Sequence, residues 1–452
     1  MSLTRREFLG SVAAGAATFT FVPSSVLGQG GQTPPSEKLN IAGVGVGGMG
    51  GGNVEALKSQ NIVALCDVDD AYAANTFNKY PNAKKFRDYR KMLDQMGKEI
   101  DAVVVATPDH NHAVVAMECM KRGKHVYVQK PMTRTVYEAR MLTEAARKYK
   151  VVTQMGNQGS SGEGVRLVCE WIWDGAIGPV REVHAWTNRP VWPQGIERPK
   201  DTPPVPATLD WDLWVGPSPM RPYNPIYLPF NWRAWQDFGT GALGDMACHM
   251  LDPVFKSLKL KYPTSVAASV AVQYKEMWKA WQNTETYPMA SMVHYQFPAR
   301  GDMPAVKLHW YDGGMMPPRP EELEKDRRLG DDDGGVLFVG DKGKLMCGCY
   351  GSGPQLIPYS RMQEYHRPAK SIPRVETSHE MHWVECCKKG GTPSSTFDYA
   401  GPFTESVVMG NLAIRFPNRE LLWDGDNMKV TNVQEANALV NPPYRQGWSI
   451  AL

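Results

Sequence analysis

The chain has 452 residues, which is enough for two domains of ordinary size with their own cores. Its 42% hydrophobic and 21% charged residues are typical of a soluble globular protein, and the formal net charge of only +3 argues against nucleic acid or an anionic membrane as a partner. Its eight cysteines include no CxxC pair and no cysteine–histidine set with zinc spacing, so we expect buried thiols, with a disulfide left open, and no metal site.

Residues 1–28 have the pattern of a targeting segment. Two arginines, Arg5 and Arg6, precede an uncharged apolar run over residues 10–22 that is too short to span a bilayer comfortably. The arginine pair resembles a twin-arginine export signal, a type that moves proteins after they have folded. We therefore expect a periplasmic or otherwise exported protein without a membrane span in its mature form. A Gly/Pro-rich linker over residues 29–37 follows the signal.

A glycine-rich turn follows the first predicted strand, LNIAGV. The pattern G-x-G-x-x-G fits two registers, 43/45/48 and 45/47/50, and we prefer the second because it leaves a full strand before Gly45. Such glycines let the backbone approach a pyrophosphate at a helix N-terminus. The next predicted strand, NIVALCDVD, contains Asp67, whose carboxylate can accept hydrogen bonds from a ribose and would repel a 2′-phosphate. The sequence therefore predicts a site for NAD rather than NADP.

Predicted strands and helices alternate up to about residue 160. This alternation predicts a doubly wound parallel sheet over residues 38–160, within an α/β fold. Ligands of such sheets lie beyond the carboxyl ends of the strands. The residues that we expect there, as the cofactor site, are Gly45, Gly47, Gly48, Gly50, Asp67, Thr107, Pro108, His112, Gln129, Lys130 and Asn157.

Five stretches in chain order resemble the Gfo/Idh/MocA oxidoreductase family. They are GVGGMG (45–50), CDVD (66–69), ATPDHNH (106–112), VQKPM (128–132) and GDMACHMLD (244–252). The resemblance implies an N-terminal Rossmann domain and, over residues 161–452, a C-terminal α/β domain with an open, largely antiparallel sheet. It also implies NAD(P)-dependent oxidation or reduction of sugars, cyclitols and related polyols, and a homodimer or homotetramer formed through the second domain.

One position departs from the family pattern. Gln129 stands where the common family version has a glutamate before the lysine, as it does in an exported subgroup that this chain resembles. The missing carboxylate removes one force that would hold Lys130 protonated. The acid–base role of Lys130 is therefore left open, whereas its location in the site is still expected.

The resemblance further implies the catalytic residues. Asp245 and His249 are four residues apart, so they share one face of a predicted helix. Because an imidazole titrates near neutrality, His249 is the expected general base, with Asp245 assisting and Lys130 as a substrate-binding cation and proton-relay partner. Whether Lys130 or His249 takes the proton stays open.

A segment rich in Trp and Pro, residues 186–235, lies before this helix. Flat aromatic rings pack well on the apolar face of a sugar, and arginine donates several hydrogen bonds to hydroxyl groups. Most of these tryptophans are expected to anchor the segment to the core. Trp232 and Arg233 are the expected substrate contacts because they lie closest to the helix of Asp245.

Two other stretches receive plainer interpretations. Residues 319–335, which include the acidic run 331–333, are expected to form a solvated loop; the run could attract a cation, but it shows no complete ligand set. The HEMH stretch at 379–382 is not the HExxH zinc motif, because its histidines are three residues apart.

Three functions fit these patterns. The first is an oxidoreductase for sugars or cyclitols that uses NAD; since no cofactor pool can be assumed outside the cytoplasm, an exported enzyme would carry its NAD tightly bound and recycle it. The second is a glycosidase of the kind known among relatives, which oxidises a ring hydroxyl, eliminates the aglycone, adds water and reduces the ring again. The third is a non-catalytic protein that binds a sugar or a nucleotide.

Overall fold

The computed structural model describes residues 37–452. The predicted export signal and almost all of the predicted linker lie outside this range. Within it, no helix has the length and apolar character needed to cross a membrane. The eight cysteines, all of which fall in the range, form no disulfide there, and seven of them are buried.

The first sheet has six strands, all parallel. The strands are β1 (Asn40–Val44), β2 (Asn61–Cys66), β3 (Lys84–Phe86), β4 (Ala102–Val105), β5 (His125–Val128) and β6 (Thr153–Met155). Their spatial order is β3-β2-β1-β4-β5-β6, in which β1 pairs with both β2 and β4. Every residue of β4 is buried, as expected for a parallel strand that helices cover on both faces.

Helices connect these strands. They are α1 (Gly48–Ala56), α2 (Asp70–Lys79), α3 (Tyr89–Met96), α4 (Asp109–Lys121) and α5 (Val136–Tyr149). The start of α5 is fixed by a capping box, in which the Thr135 hydroxyl accepts from the Glu138 N–H while the Glu138 carboxylate accepts from the Thr135 N–H. The predicted doubly wound parallel sheet is confirmed.

The second sheet has nine strands and is mixed. Eleven strands follow β6 in the described residues, and nine of them form this sheet. The eleven are β7 (Val180–Thr187), β8 (Ser265–Val270), β9 (Gln273–Glu276), β10 (Lys279–Trp281), β11 (Ser291–Phe297), β12 (Val306–Tyr311), β13 (Gly334–Gly340), β14 (Gly343–Cys347), β15 (Gln355–Ile357), β16 (Glu420–Asp424) and β17 (Lys429–Val430). The order in the large sheet is β15-β14-β13-β7-β12-β11-β8-β16-β17, while β9 and β10 form a separate hairpin. Only the pair β7–β12 is parallel, so the predicted, largely antiparallel sheet is confirmed.

The helices of this second half pack around the large sheet and reach back to the first. They are α6 (Glu163–Trp173), α7 (Trp211–Val215), α8 (Gly241–Met250), α9 (Asp252–Ser257), α10 (Tyr359–Glu364), α11 (His379–Lys389), α12 (Phe397–Ile414) and α13 (Asn437–Val440). The helix α11 places Trp383 and Val384 in one apolar cluster with Ile41, Leu57 and Tyr127. A segment near the end of the chain therefore completes the core of the parallel sheet, while the boundary after residue 160 stays a prediction.

This contact gives a stability prediction. Trp383 has no exposed surface, so Trp383→Ala should lower the free energy of unfolding by about 3–5 kcal/mol through the cavity that it creates. Thermal or denaturant unfolding measures the loss. The control is Trp278→Ala, since Trp278 is 89% exposed at the β9–β10 turn and its removal should cost less than about 0.5 kcal/mol. Equal melting temperatures for the two variants would contradict the assignment of α11 to the core.

Candidate active site

A cleft of about 470 Å³ lies at the carboxyl ends of the parallel strands, and both halves of the chain line it. Thirteen of the residues expected from the sequence are found in its wall: Gly45, Gly47, Gly48, Asp67, Thr107, Pro108, His112, Gln129, Lys130, Trp232, Arg233, Asp245 and His249. Two others, Gly50 and Asn157, lie behind the wall. The structure thus brings the sequence-derived set together, while the role of each residue stays a prediction.

The glycine turn is built so that the backbone itself forms the floor of the cleft. Strand β1 ends at Val44, so Gly45 and Gly47 lie in the turn and Gly50 lies in the first turn of α1. Gly45 has φ +78°, and a Cβ there would lie 2.6 Å from the backbone nitrogen of Thr107. A Cβ on Gly50 would lie 1.8 Å from the Gly45 carbonyl oxygen. Helix α1 begins directly after Gly47, without a side-chain cap, so its N-terminus is available to an anion such as a pyrophosphate.

Asp67 lies at the end of β2 beside this turn. Its carboxylate accepts hydrogen bonds from the backbone N–H groups of Gly47 and Asp69, both at 3.0 Å. Burial raises the pKa of Asp67 to about 6. The sequence did not indicate Tyr72, whose ring packs over the turn so closely that a Cβ on Gly47 would lie 2.1 Å from it. The turn and the carboxylate together fit a dinucleotide with an unmodified ribose.

Buried polar groups lie around the ends of β4, β5 and β6. The two ring nitrogens of His112 each lie 2.8 Å from a carbonyl oxygen, one of Thr107 and one of Pro131, and burial lowers the pKa of His112 to about 4. The ring therefore lies between the end of β4 and the loop after β5, and as a neutral imidazole it donates to one of these two carbonyls. Asn157 is fully buried, and neither of its amide atoms has a hydrogen-bond partner among residues 37–452. The Thr107 hydroxyl is likewise unpartnered within that range, and since it lines the cleft it can bind a polar group of a ligand there.

The Gln129 amide accepts a hydrogen bond from the Lys130 backbone N–H at 3.2 Å and is held on its other side by a relay of side chains. Its Nε2 donates to Asn53 Oδ1 at 2.9 Å, and Asn53 Nδ2 donates to Glu380 Oε1, also at 2.9 Å. The relay joins β5 to α1 and α11. The HEMH stretch that contains Glu380 therefore supports the cofactor side of the cleft.

Lys130, Asp245 and Arg233 form an ion triad between the two halves of the chain. Lys130 Nζ donates to the Asp245 carbonyl at 2.7 Å and to Asp245 Oδ1 at 2.9 Å. Arg233 Nε donates to the same Oδ1 at 2.8 Å. Burial alone would raise the pKa of Asp245, but the charges and hydrogen bonds of the two cations hold it below its usual value. The counter-charge that is missing at Gln129 is thus supplied by Asp245.

Arg233 is fixed by aromatic rings. The guanidinium carbon lies 4.1 Å from the Phe230 ring centroid and 4.2 Å from that of Trp232, distances at which a cation is attracted to a ring face. The predicted substrate contact Trp232 therefore also holds Arg233 in place.

His249 lies one helical turn after Asp245, but the two are not joined as the sequence analysis allowed. No hydrogen bond between them occurs in the described part of the chain, because the Asp245 carboxylate faces Lys130 and Arg233. His249 is 4% exposed, and its Nδ1 is buried without a partner in that same range. Burial, together with the charge of Lys130, lowers the pKa of His249 well below its ordinary value. The imidazole is therefore neutral and able to accept a proton.

Residues 39–157 match a family model described as an oxidoreductase family with an NAD-binding Rossmann fold. Residues 181–293 match the model of the same family's C-terminal alpha/beta domain, and together the two matches cover more than half of the chain. The chain belongs to the Gfo/Idh/MocA oxidoreductase family. This membership confirms the resemblance drawn from the five sequence stretches, and NAD is the nucleotide named for the family's first domain.

Two related proteins and one solved structure illustrate what this chain is similar to. Levoglucosan dehydrogenase of Pseudarthrobacter phenanthrenivorans is 25% identical over 44% of this chain and 42% of its own length. Glycosyl hydrolase family 109 protein 1 of Shewanella sp. is 26% identical over 39% of this chain and 44% of its own length. The chain therefore spans less than half of the length of these relatives. The WlbA dehydrogenase of Bordetella pertussis, solved with NADH and UDP-GlcNAcA, shares the fold, with a TM-score of 0.57 and 15% identity over 86% of this chain and 99% of its own.

Several other residues of the cleft wall were not singled out from the sequence. Among them, besides Tyr72, are Asp109, Arg189, Phe230 and Tyr350. Asp109 lies inside the quoted stretch ATPDHNH and could have been found there; burial raises its pKa to about 7, and the Thr240 hydroxyl donates to it at 2.6 Å. The other three lie on irregular connections, where no periodic pattern marks them.

A larger cavity, of about 870 Å³, lies elsewhere, between α5, α6, α9 and α12. Its wall contains several basic side chains but none of the residues expected from the sequence for cofactor, catalysis or substrate. We therefore assign the active site to the smaller cleft, because the glycine turn, Asp67 and the ion triad meet there.

The glycine turn gives a prediction about nucleotide binding. Gly50→Ala places a methyl group against the Gly45 carbonyl, so the turn must shift and NAD affinity should fall by about 100-fold or more, since small displacements at a binding turn have large effects. Gly52→Ala is the matched control, because a Cβ at Gly52 in the same helix meets nothing within 4 Å. Calorimetric titration with NAD measures both. Equal affinities would show that the 45/47/50 turn does not hold the nucleotide.

The raised pKa of Asp67 predicts a pH dependence of NAD affinity. The carboxyl gains a proton as the pH falls through about 6 and then loses acceptor capacity for ribose hydroxyls. Between about pH 7.5 and about pH 5, the Kd of nucleotide-stripped protein for NAD should therefore rise roughly tenfold. The variant Asp67→Asn should bind more weakly at all pH values and lose this dependence. A wild-type Kd that does not change over the range would contradict contact between Asp67 and the nucleotide.

Proposed function

We propose that this protein is an NAD-dependent oxidoreductase that acts on a CH–OH group of a sugar, cyclitol or glycoside. One observation carries the proposal: a neutral, buried His249 and a fixed Lys130 ammonium line the same cleft as the glycine turn and Asp67. A dehydrogenation needs a base for the hydroxyl proton and a donor for the developing carbonyl oxygen. The cleft offers one group of each kind.

The roles follow from the charges. His249 accepts the hydroxyl proton, because its imidazole is neutral, whereas Lys130 is bound to the Asp245 carboxylate and serves as a hydrogen-bond donor. Lys130 uses two N–H groups on Asp245 and can direct the third to the substrate oxygen. Arg233 shares the Asp245 carboxylate and so keeps the lysine aligned. When bound, NAD would supply the hydride acceptor.

The proposal includes export and retention of the cofactor. The Arg5–Arg6 pattern supports a twin-arginine route, and a folded chain could carry its nucleotide out of the cytoplasm. Tight retention then requires that each oxidation be matched by a reduction at the same site, on the same substrate or on another one. We further propose a homo-oligomer, a dimer or a tetramer, formed through the large sheet of the second half.

A second candidate function is a glycoside hydrolase that oxidises the ring transiently. The similarity to a glycosyl hydrolase family 109 protein supports it, and so does Asp109. This carboxyl lines the cleft with a pKa raised to about 7, so a substantial fraction of it is protonated at neutral pH and can give a proton to a leaving aglycone. In this version the oxidised ring acidifies a neighbouring C–H, the aglycone leaves, water adds, and the ring is reduced again.

The first test identifies the nucleotide. The full chain is purified without added nucleotide and denatured, and the released molecule is identified by chromatography and absorbance. We expect near-stoichiometric NAD or NADH. Release of NADP would overturn the interpretation of Asp67. A protein that releases no nucleotide and binds no added NAD would contradict both enzymatic functions and leave the binding-protein hypothesis.

The second test measures turnover on a panel of levoglucosan, myo-inositol, D-glucose and p-nitrophenyl glycosides. The variant His249→Ala should lower kcat by about 100-fold or more while NAD stays bound, because the proton acceptor is lost. His366→Ala is the control, since His366 is exposed outside the cleft. Release of p-nitrophenol without an oxidised sugar product would favour the hydrolase. An oxidised sugar product, formed together with NADH or with a reduced second sugar, would favour the dehydrogenase. A His249→Ala variant as active as the control would remove His249 from the mechanism.

A further inference from the structure

Tyr350 has a backbone conformation that few side chains adopt. It lies in the short 3₁₀ turn Cys349–Gly351 after β14, with φ +61° and ψ 17°. In this left-handed region the Cβ crowds the following carbonyl. Seven non-glycine residues of the range 37–452 have positive φ, and two of them, Phe230 and Tyr350, are aromatic residues of the cleft wall. Such outliers persist where the surroundings impose them, often at functional sites.

The acidic run 331–333 imposes this conformation from one side. Asp331 Oδ2 accepts a hydrogen bond from the Cys349 backbone N–H at 2.7 Å and from the Ser352 hydroxyl at 3.3 Å. Its Oδ1 accepts from the N–H groups of Asp333 and Gly334 at 3.0 and 3.1 Å. The carboxylate that the sequence analysis placed in a solvated loop therefore ties the start of β13 to the turn that carries Tyr350.

Two glycines hold the turn from the other side. A Cβ on Gly159 would lie 2.9 Å from the Cβ of Tyr350, and a Cβ on Gly164 would lie 2.1 Å from the Gly351 carbonyl oxygen. The chain around residues 159–164 thus packs against the turn at backbone distance. Because both sides are closed, Tyr350 has little room to relax to an ordinary backbone conformation.

The ring of Tyr350 points to the reactive end of the cleft. Its centroid lies 4.6 Å from that of His249, edge to face, and 38% of the residue stays exposed. No residue between 37 and 452 hydrogen-bonds to its hydroxyl group. Burial raises the pKa of Tyr350 to about 12, so the phenol is a neutral donor at physiological pH. A ring face beside the base and a hydroxyl without a protein partner suit a polyol ring.

We propose that Tyr350 contacts the substrate: its ring packs on the apolar face of a sugar or cyclitol ring, and its hydroxyl donates to a ring hydroxyl beside the reacting carbon. The inference rests on the proposed function and adds a residue that selects the substrate. The same ring covers His249 and limits the access of water to the base. Phe230, the other non-glycine cleft residue with positive φ, packs instead on Arg233.

The test compares three variants on the panel substrate that wild-type protein turns over best. Tyr350→Phe keeps the ring and removes the donor, so KM should rise about tenfold with kcat within about twofold. Tyr350→Gly removes the ring but suits the left-handed backbone, so kcat/KM should fall about 100-fold while the melting temperature and NAD content stay unchanged or rise. The control is Tyr274→Phe, because Tyr274 is exposed on the separate hairpin and should match wild type.

The outcomes separate the two proposals. A wild-type protein that turns over no panel substrate would contradict the proposed function, and the substrate contact with it. An active wild type with Tyr350→Phe and Tyr350→Gly equally active would overturn the Tyr350 contact alone. A Tyr350→Gly variant that loses activity together with its melting temperature or its NAD would show that the residue is structural and would overturn the contact as well.

Discussion

The Lys130 ammonium, whose side chain is only 12% exposed, is the constraint on which the cleft depends. Removing such a charge from water costs several kcal/mol, and the fold compensates with one carboxylate, Asp245, that is shared with Arg233. Lys130 follows a strand of the parallel sheet, whereas Asp245 and Arg233 belong to the second half of the chain. The triad therefore fixes the two halves relative to each other at the point where the substrate must lie. Two cations on one carboxylate also leave a net positive site, which favours an oxyanion.

The same positive charge determines the state of His249. Burial already disfavours the imidazolium, and the nearby ammonium disfavours it further, so the histidine is neutral. Had Asp245 bonded the imidazole, it would have stabilised the charged ring and left Lys130 without a partner. The arrangement with Asp245 on the lysine thus leaves the imidazole neutral and gives Lys130 an ion-pair partner.

The sequence predicted the parallel sheet well because its signals are local. Apolar runs such as that of β4 alternate with amphipathic helices, whereas β3 was missed because it is three residues long with two exposed lysines. The motifs also placed Lys130 and His249 in one site, yet nothing in their spacing shows which group Asp245 faces. Tyr350 left no signal at all, since its position depends on Asp331 and on backbone contacts with a distant segment. Local pattern therefore predicted elements and motif residues, while contacts between loops required the structure.

The end of the chain completes the nucleotide half. Trp383 fills the core of the parallel sheet, Glu380 anchors the amide relay to Gln129, and the Ser395 carbonyl accepts the N–H of Met155 at the end of β6. A chain that has not yet folded these segments lacks part of the support beneath the glycine turn and Lys130. Nucleotide binding is thus coupled to folding of nearly the whole protein. If the protein is exported with its cofactor, as we propose, this coupling is the physical reason why it must fold first, because an unfolded chain could not retain the nucleotide during transport.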